Sequence, residues 1–135
     1  MNIHESVVRV MNSKEVFGEA FYELFFVRHP EVQAHFSGID MKRQALLLTM
    51  AVALIEQHYS SPYPVTEKYI QHLGTRHHSR AIPKELYPKW RDTMLETLQQ
   101  FFGNEWSDGL ASEWTEAIDL CTSVMFEGYA QHFAV

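Results

Sequence analysis

The sequence predicts an all-α protein. Glycine and proline are sparse, at six and five in 135 residues. They fall between long stretches and do not punctuate short strands. Within those stretches the apolar residues recur at spacings of one, three and four, the period of a buried helix face. A composition of 46% apolar, 13% aromatic and 21% charged residues lies far from the regime in which a chain buries too little surface to fold. The length suits one compact domain spanning residues 1–135.

From Lys14 to Arg28, Val16, Phe17, Ala20, Phe21, Leu24 and Phe25 form an amphipathic helix, with Ser13 as a candidate N-cap. Pro30 opens a short piece carrying Val32 and Phe36. After Ser37-Gly38, Asp40 can cap a helix running to about Tyr59. Its middle, from Ala45 to Ile55, is apolar on nearly every face and is expected to be sandwiched between neighbours. Ser60-Ser61-Pro62-Tyr63-Pro64 ends it, because two prolines remove amide donors. Thr66 is the candidate cap of the next helix, which carries Tyr69, Ile70, Leu73, Gly74 and His77 on one side and gives out before Pro83. Pro83 to Phe102 repeats the pattern through Leu86, Trp90, Met94, Leu95, Leu98 and Phe101, and Gly103 stops it. From Ser107 a last long helix carries Leu110, Trp114, Ile118, Cys121, Val124 and Met125. Six or seven helices of unequal length result, and spacing alone leaves a simple helix bundle open.

Several function classes drop out. A formal charge of -6, with basic residues scattered in runs no longer than Lys42-Arg43, argues against nucleic acid as a partner. The longest apolar stretch is too short to span a bilayer, and the N-terminus has no basic region followed by an apolar one. One cysteine, Cys121, makes no internal disulfide and reads as a small core residue, so a soluble cytoplasmic protein is expected. No phosphate-binding glycine loop or nucleophile elbow is present.

Eight histidines invite a metal hypothesis. Thiolate-rich zinc is excluded by the single cysteine, and His72, His77 and His78 lack the spacing of a two-histidine zinc helix. His29, His35, His58 and His132 are isolated. The surroundings of His77 are more informative. Leu73 precedes it by one turn, Gly74 leaves little bulk on the same side, and Ile82 follows where the chain leaves the helix. The helix from Asp40 offers a stripe of Gln44, Leu48, Ala51, Val52 and Ile55, polar at its entrance and apolar beyond. A pocket so lined suits a large flat apolar cofactor. The same residues would also serve as ordinary core, with His77 an exposed helix-end residue.

The order and intervals of several motifs resemble the globins, most closely single-domain bacterial haemoglobins and the globin domains of flavohaemoglobins. The likeness is carried by Ala20-Phe21-Tyr22-Glu23-Leu24-Phe25, His29-Pro30-Glu31-Val32 and Phe36, with Phe36 fourteen positions after Tyr22. It continues through Asp40-Met41-Lys42-Arg43-Gln44 with Leu48, Leu73-Gly74-Thr75-Arg76-His77 with Ile82, Tyr87-Pro88 ten residues beyond the histidine, and Trp114. It covers roughly residues 13 to 130.

The resemblance implies a globin fold of six to eight helices around haem b. His77 would be the axial iron ligand, with His78 its rival, and Leu73, Ile82, Tyr87, Phe36 and Leu48 would line the haem. Tyr22 and Gln44 would donate to bound dioxygen, although a slip of one residue would turn Arg43 inward in place of Gln44. In some relatives a tyrosine and a glutamate hold the proximal histidine; here Tyr87 matches the first, whereas Tyr129 stands where the glutamate would. The implied function is reversible binding of dioxygen, carbon monoxide or nitric oxide by a monomer or homodimer. A rival function is nitric oxide dioxygenation, which would need a separate reductase because these residues leave no room for a flavin domain. A gas-sensing module and a helical interaction domain without cofactor are the two remaining candidates.

Overall fold

The computed structural model describes residues 1–14 and 16–131. His132 therefore lies outside the described residues. Six α-helices follow one another: α1 (Ile3–Met11), α2 (Val16–Arg28), α3 (Met41–Ser60), α4 (Pro64–Ser79), α5 (Leu86–Phe102) and α6 (Asp108–Gln131). Short 3-10 helices occupy Pro30–Phe36 and Gly103–Glu105. No strand occurs among the described residues, and none of their helices is long and apolar enough to cross a membrane.

Helix α1 lies outside the periodic stretches of the sequence, yet its signals are present. The Asn2 carboxamide oxygen accepts from the Glu5 amide at 2.9 Å, an N-cap, and Ile3, Val7 and Val10 bury one stripe. Ser6 on that stripe accepts from the Trp114 indole N–H at 2.9 Å, tying α1 to α6. Asp40 caps α3 as expected, accepting from the amides of Lys42 at 3.1 Å and Arg43 at 3.4 Å. Ser107 accepts from the Leu110 amide at 3.1 Å at the start of α6.

Three expected boundaries move. Ser13 does not cap α2; its hydroxyl turns back to the Val10 carbonyl at 2.6 Å and closes α1. Helix α4 begins at Pro64, not after Thr66, because the first helical position is where a proline's missing amide costs nothing. Helix α5 begins at Leu86, since Pro83 to Glu85 form a turn whose carbonyls accept from Leu86 and Tyr87. That turn follows a paired closure of α4. The Ala81 amide donates to the His78 carbonyl and the Ile82 amide to the His77 carbonyl, both at 3.0 Å. Ala81 sits at φ 60° in this closure, a position where Cβ is strained and glycine is at ease. Ala81→Gly is accordingly expected to raise the unfolding free energy by roughly 0.5–1 kcal/mol in denaturant titrations; a loss would show that the turn is held otherwise.

Phe17, Phe21, Phe25, Val52, Ile70, Met94, Leu98, Trp114 and Ile118 are fully or nearly fully buried in one cluster. The expectation that α3 is covered on every side fails. Leu46, Leu47 and Met50 are 47%, 50% and 57% exposed, while Ala45, Leu48, Thr49, Val52, Ile55 and Glu56 are buried. Helix α4 lies along α6 over an extensive contact and touches α3 only slightly. The α4–α6 approach depends on Gly74 and Gly128: a Cβ on either would lie 1.9 Å from a carbonyl oxygen of the other helix, that of Met125 or Gln71. The missing side chain of Gly74 thus makes room for α6, not for the ligand that its spacing suggests. The Thr75 hydroxyl seals the seam by donating to the Gly128 carbonyl at 2.8 Å.

Candidate functional site

The closure of α4 places His77 in its last turn, half-buried beside the first turn of α5. Its Nδ1 lies 2.8 Å from the Tyr87 hydroxyl, and Nε2 has no hydrogen-bond partner among the described residues. Burial, reinforced by the charges of Arg80 and Arg76, lowers the imidazole to about 4. Near neutral pH the ring is therefore uncharged, the form that can ligate a metal. His77 is thus no exposed helix-end residue.

Tyr87 is the middle of a longer chain. Its hydroxyl lies 3.1 Å from that of Tyr129 on α6, and Tyr129 donates to the Ile82 carbonyl at 2.7 Å. The sequence places Tyr129 where some relatives carry a glutamate but gives no sign that a second phenol still reaches Tyr87. Burial raises the Tyr87 hydroxyl well above the usual phenol range and raises that of Tyr129 too, the bond to Tyr87 partly opposing the second, so both stay protonated at neutral pH. The rival His78 has its ring edge-on to Tyr129 at 5.2 Å, in the α4–α6 seam. Leu73, one turn before His77, and Ile82, in the exit turn, are half-buried.

Tyr22 and Gln44 form the second group. Tyr22 is buried on α2, its ring edge-on to Phe36 at 5.3 Å and to Phe21 at 5.1 Å. Phe36 also packs edge-on against Phe26 at 5.5 Å. The Gln44 carboxamide nitrogen donates to the Tyr22 hydroxyl at 2.9 Å. Burial pushes that hydroxyl up to about 12, the Gln44 bond partly opposing it, so the phenol keeps its proton. Arg43 is exposed and does not take the place of Gln44. Asp40 sets this register by capping α3 at its first turn.

Gln44, Leu47, Leu48 and Ala51 share one flank of α3 by helical spacing, and Leu48 is buried. Leu47 on that flank is half exposed, an apolar surface without a protein cover. Such a surface, with a neutral histidine holding one nitrogen unpartnered, fits an axially ligated flat apolar group. A polydentate metal centre does not fit, because no three His, Cys, Asp or Glu side chains converge among the described residues. Small cavities border both groups of candidate residues. One of about 210 Å³ runs along Tyr22, Phe26, Met41 and Ala45, and one of about 100 Å³ lies beside Tyr87 and Phe126. Cys121 is buried, which pushes its thiol up to about 12 and makes it an inert core residue.

A family model described as Globin matches residues 19–125. A flavohemoprotein of Halalkalibacterium halodurans is 24% identical over 115 residues, which cover 84% of this chain and 28% of that protein. The chain thus spans well under a third of that relative's length. Globin CTT-IX of Chironomus thummi thummi is 26% identical over 117 residues, covering 75% of this chain and 70% of that globin. Among solved structures, an engineered carbene transferase from Rhodothermus marinus, itself a candidate nitric oxide dioxygenase, superposes with a TM-score of 0.83. The match covers 98% of this chain and 91% of that one at 20% identity, a likeness of fold.

Proposed function

The chain belongs to the globin family, and from that premise we propose that it holds haem b through His77 and reversibly binds dioxygen or another diatomic gas. The observation carrying this reading is a neutral, half-buried histidine whose Nδ1 is anchored at Tyr87 while Nε2 has no partner among the described residues. When bound, the haem iron would supply the Lewis-acidic centre that takes up the gas. The rest is the work of this chain's side chains. Leu47 and Leu48 on α3 would shield that group from water together with Leu73 and Ile82, and Phe36 packs edge-on to Tyr22. The Tyr22 oxygen accepts from Gln44, which leaves the hydroxyl proton without another partner among the described residues. That proton would be available to a bound gas, with Gln44 holding the phenol in place.

Tyr22→Phe is expected to speed dioxygen release roughly 10- to 100-fold, the worth of one hydrogen bond to a partly charged acceptor. Gln44→Leu should give a smaller acceleration, because it removes the brace and leaves the donor. Stopped-flow dissociation rates unchanged in both variants would refute the distal assignment.

A second reading is nitric oxide dioxygenation, the candidate activity named for the Rhodothermus marinus protein of like fold. It requires electrons from a reductase, which we propose to be a separate protein. Nitrate formation over many turnovers with an added reductase distinguishes catalysis from storage. Residues 1–135 acting as one cytoplasmic globin domain, alone or as a homodimer, complete the proposal.

A further inference from the structure

The hydrogen bonds behind His77 allow only one arrangement of protons. A carbonyl oxygen has no hydrogen and can only accept, so the 2.7 Å contact between Tyr129 and Ile82 commits the single Tyr129 hydroxyl proton to the Ile82 carbonyl. Tyr129 then has nothing left to donate across the 3.1 Å contact to Tyr87, so Tyr87 must be the donor there. Its own proton being used, Tyr87 can only accept at 2.8 Å from His77, and Nδ1 must carry the hydrogen. The acceptor that sets this order is itself fixed: the Ile82 amide is bonded to the His77 carbonyl at 3.0 Å in the turn that closes α4. No carboxylate takes part among the described residues. Glu127, the nearest acid in sequence to Tyr129, accepts from the Gln71 carboxamide at 2.9 Å.

We infer that Tyr129 is a positioning residue that acts through Tyr87, its bond to the Ile82 carbonyl locking His77 in the Nδ1–H tautomer and keeping Nε2 as the lone-pair nitrogen. The relay ends on a neutral amide carbonyl, so it orients the imidazole and draws off little of its proton, in contrast to an ionised acceptor. The role assigned to Nε2 rests on the proposed haem ligation; the proton order rests only on the contacts. Free imidazole side chains favour the Nε2–H form, so a locked Nδ1–H form is a distinctive signature.

The experiment uses the whole chain without haem, labelled with nitrogen-15, at one neutral pH. Long-range proton–nitrogen correlation, with His77 assigned by its loss in His77→Gln, reads which ring nitrogen is protonated. The wild type should show Nδ1–H. Tyr129→Phe, which removes one oxygen from a residue that does not hydrogen-bond His77, should lose that preference and populate the Nε2–H form, and Tyr87→Phe should do the same. A wild-type His77 in the Nε2–H form would overturn the inference without any variant, and so would an unchanged tautomer in a folded Tyr129→Phe. Adding hemin to the same samples separates the two claims. Failure of hemin to bind while the wild type shows Nδ1–H would remove the proposed function and support the proton order. Binding through His77 with the wild type in the Nε2–H form would do the reverse.

Discussion

Gly74→Ala and Gly128→Ala are each expected to destabilise the fold by about 3 kcal/mol, the upper end of what overpacking costs. A methyl carbon on either would lie 1.9 Å from a carbonyl oxygen of the facing helix. Flexible side-chain ends can give way, but these obstacles are helix backbones whose own hydrogen bonds hold them in place. The only relief is to separate α4 from α6, which breaks the Thr75–Gly128 hydrogen bond and the His78–Tyr129 ring contact together. Gly109→Ala serves as the control. A Cβ there meets only the Ser107 hydroxyl at 3.9 Å, and the change should fall within about 0.5 kcal/mol of the wild type. Equal denaturation midpoints for all three variants would show that α4 and α6 do not approach through their glycines.

The same seam shows where sequence reading reaches its limit. The pattern of α4 is legible, and so is His77 as its special residue, because leucine, histidine and the following turn recur at helical intervals. Which neighbour Gly74 faces is not legible. A gap on one helix face looks the same whether a cofactor or another backbone fills it, and only the position of Met125 decides. The α3 register follows directly from Asp40, whose carboxylate caps the helix start and thereby places Gln44 against Tyr22. The covering of α3 cannot be read, because Leu46, Leu47 and Met50 are as apolar as Leu48 and periodicity does not say which face lacks a partner. Tyr129 illustrates the reverse case. Its departure from the resembling pattern is visible, but a phenol long enough to reach Tyr87 and turn to a backbone carbonyl depends on where the α4 exit turn carries Ile82.

His77→Leu is expected to weaken hemin binding by more than about 100-fold, beyond the 10- to 100-fold loss typical of residues that merely support a ligand. The leucine keeps much of the volume and the apolar contacts while removing the Nε2 donor atom. His78 cannot take over without leaving Tyr129, against which its ring is packed at 5.2 Å. His77→Gly with added free imidazole should recover the ligated spectrum, since a diffusible ring then occupies the vacated space. The decisive measurement is the visible absorption of the reduced protein with equimolar hemin under carbon monoxide, recorded for the wild type and for His77→Leu. A sharp histidine-ligated band in the wild type, saturating at one hemin per chain and absent from the variant, is the expected result. A wild-type spectrum identical to that of free hemin, or identical to that of His77→Leu, would contradict the account.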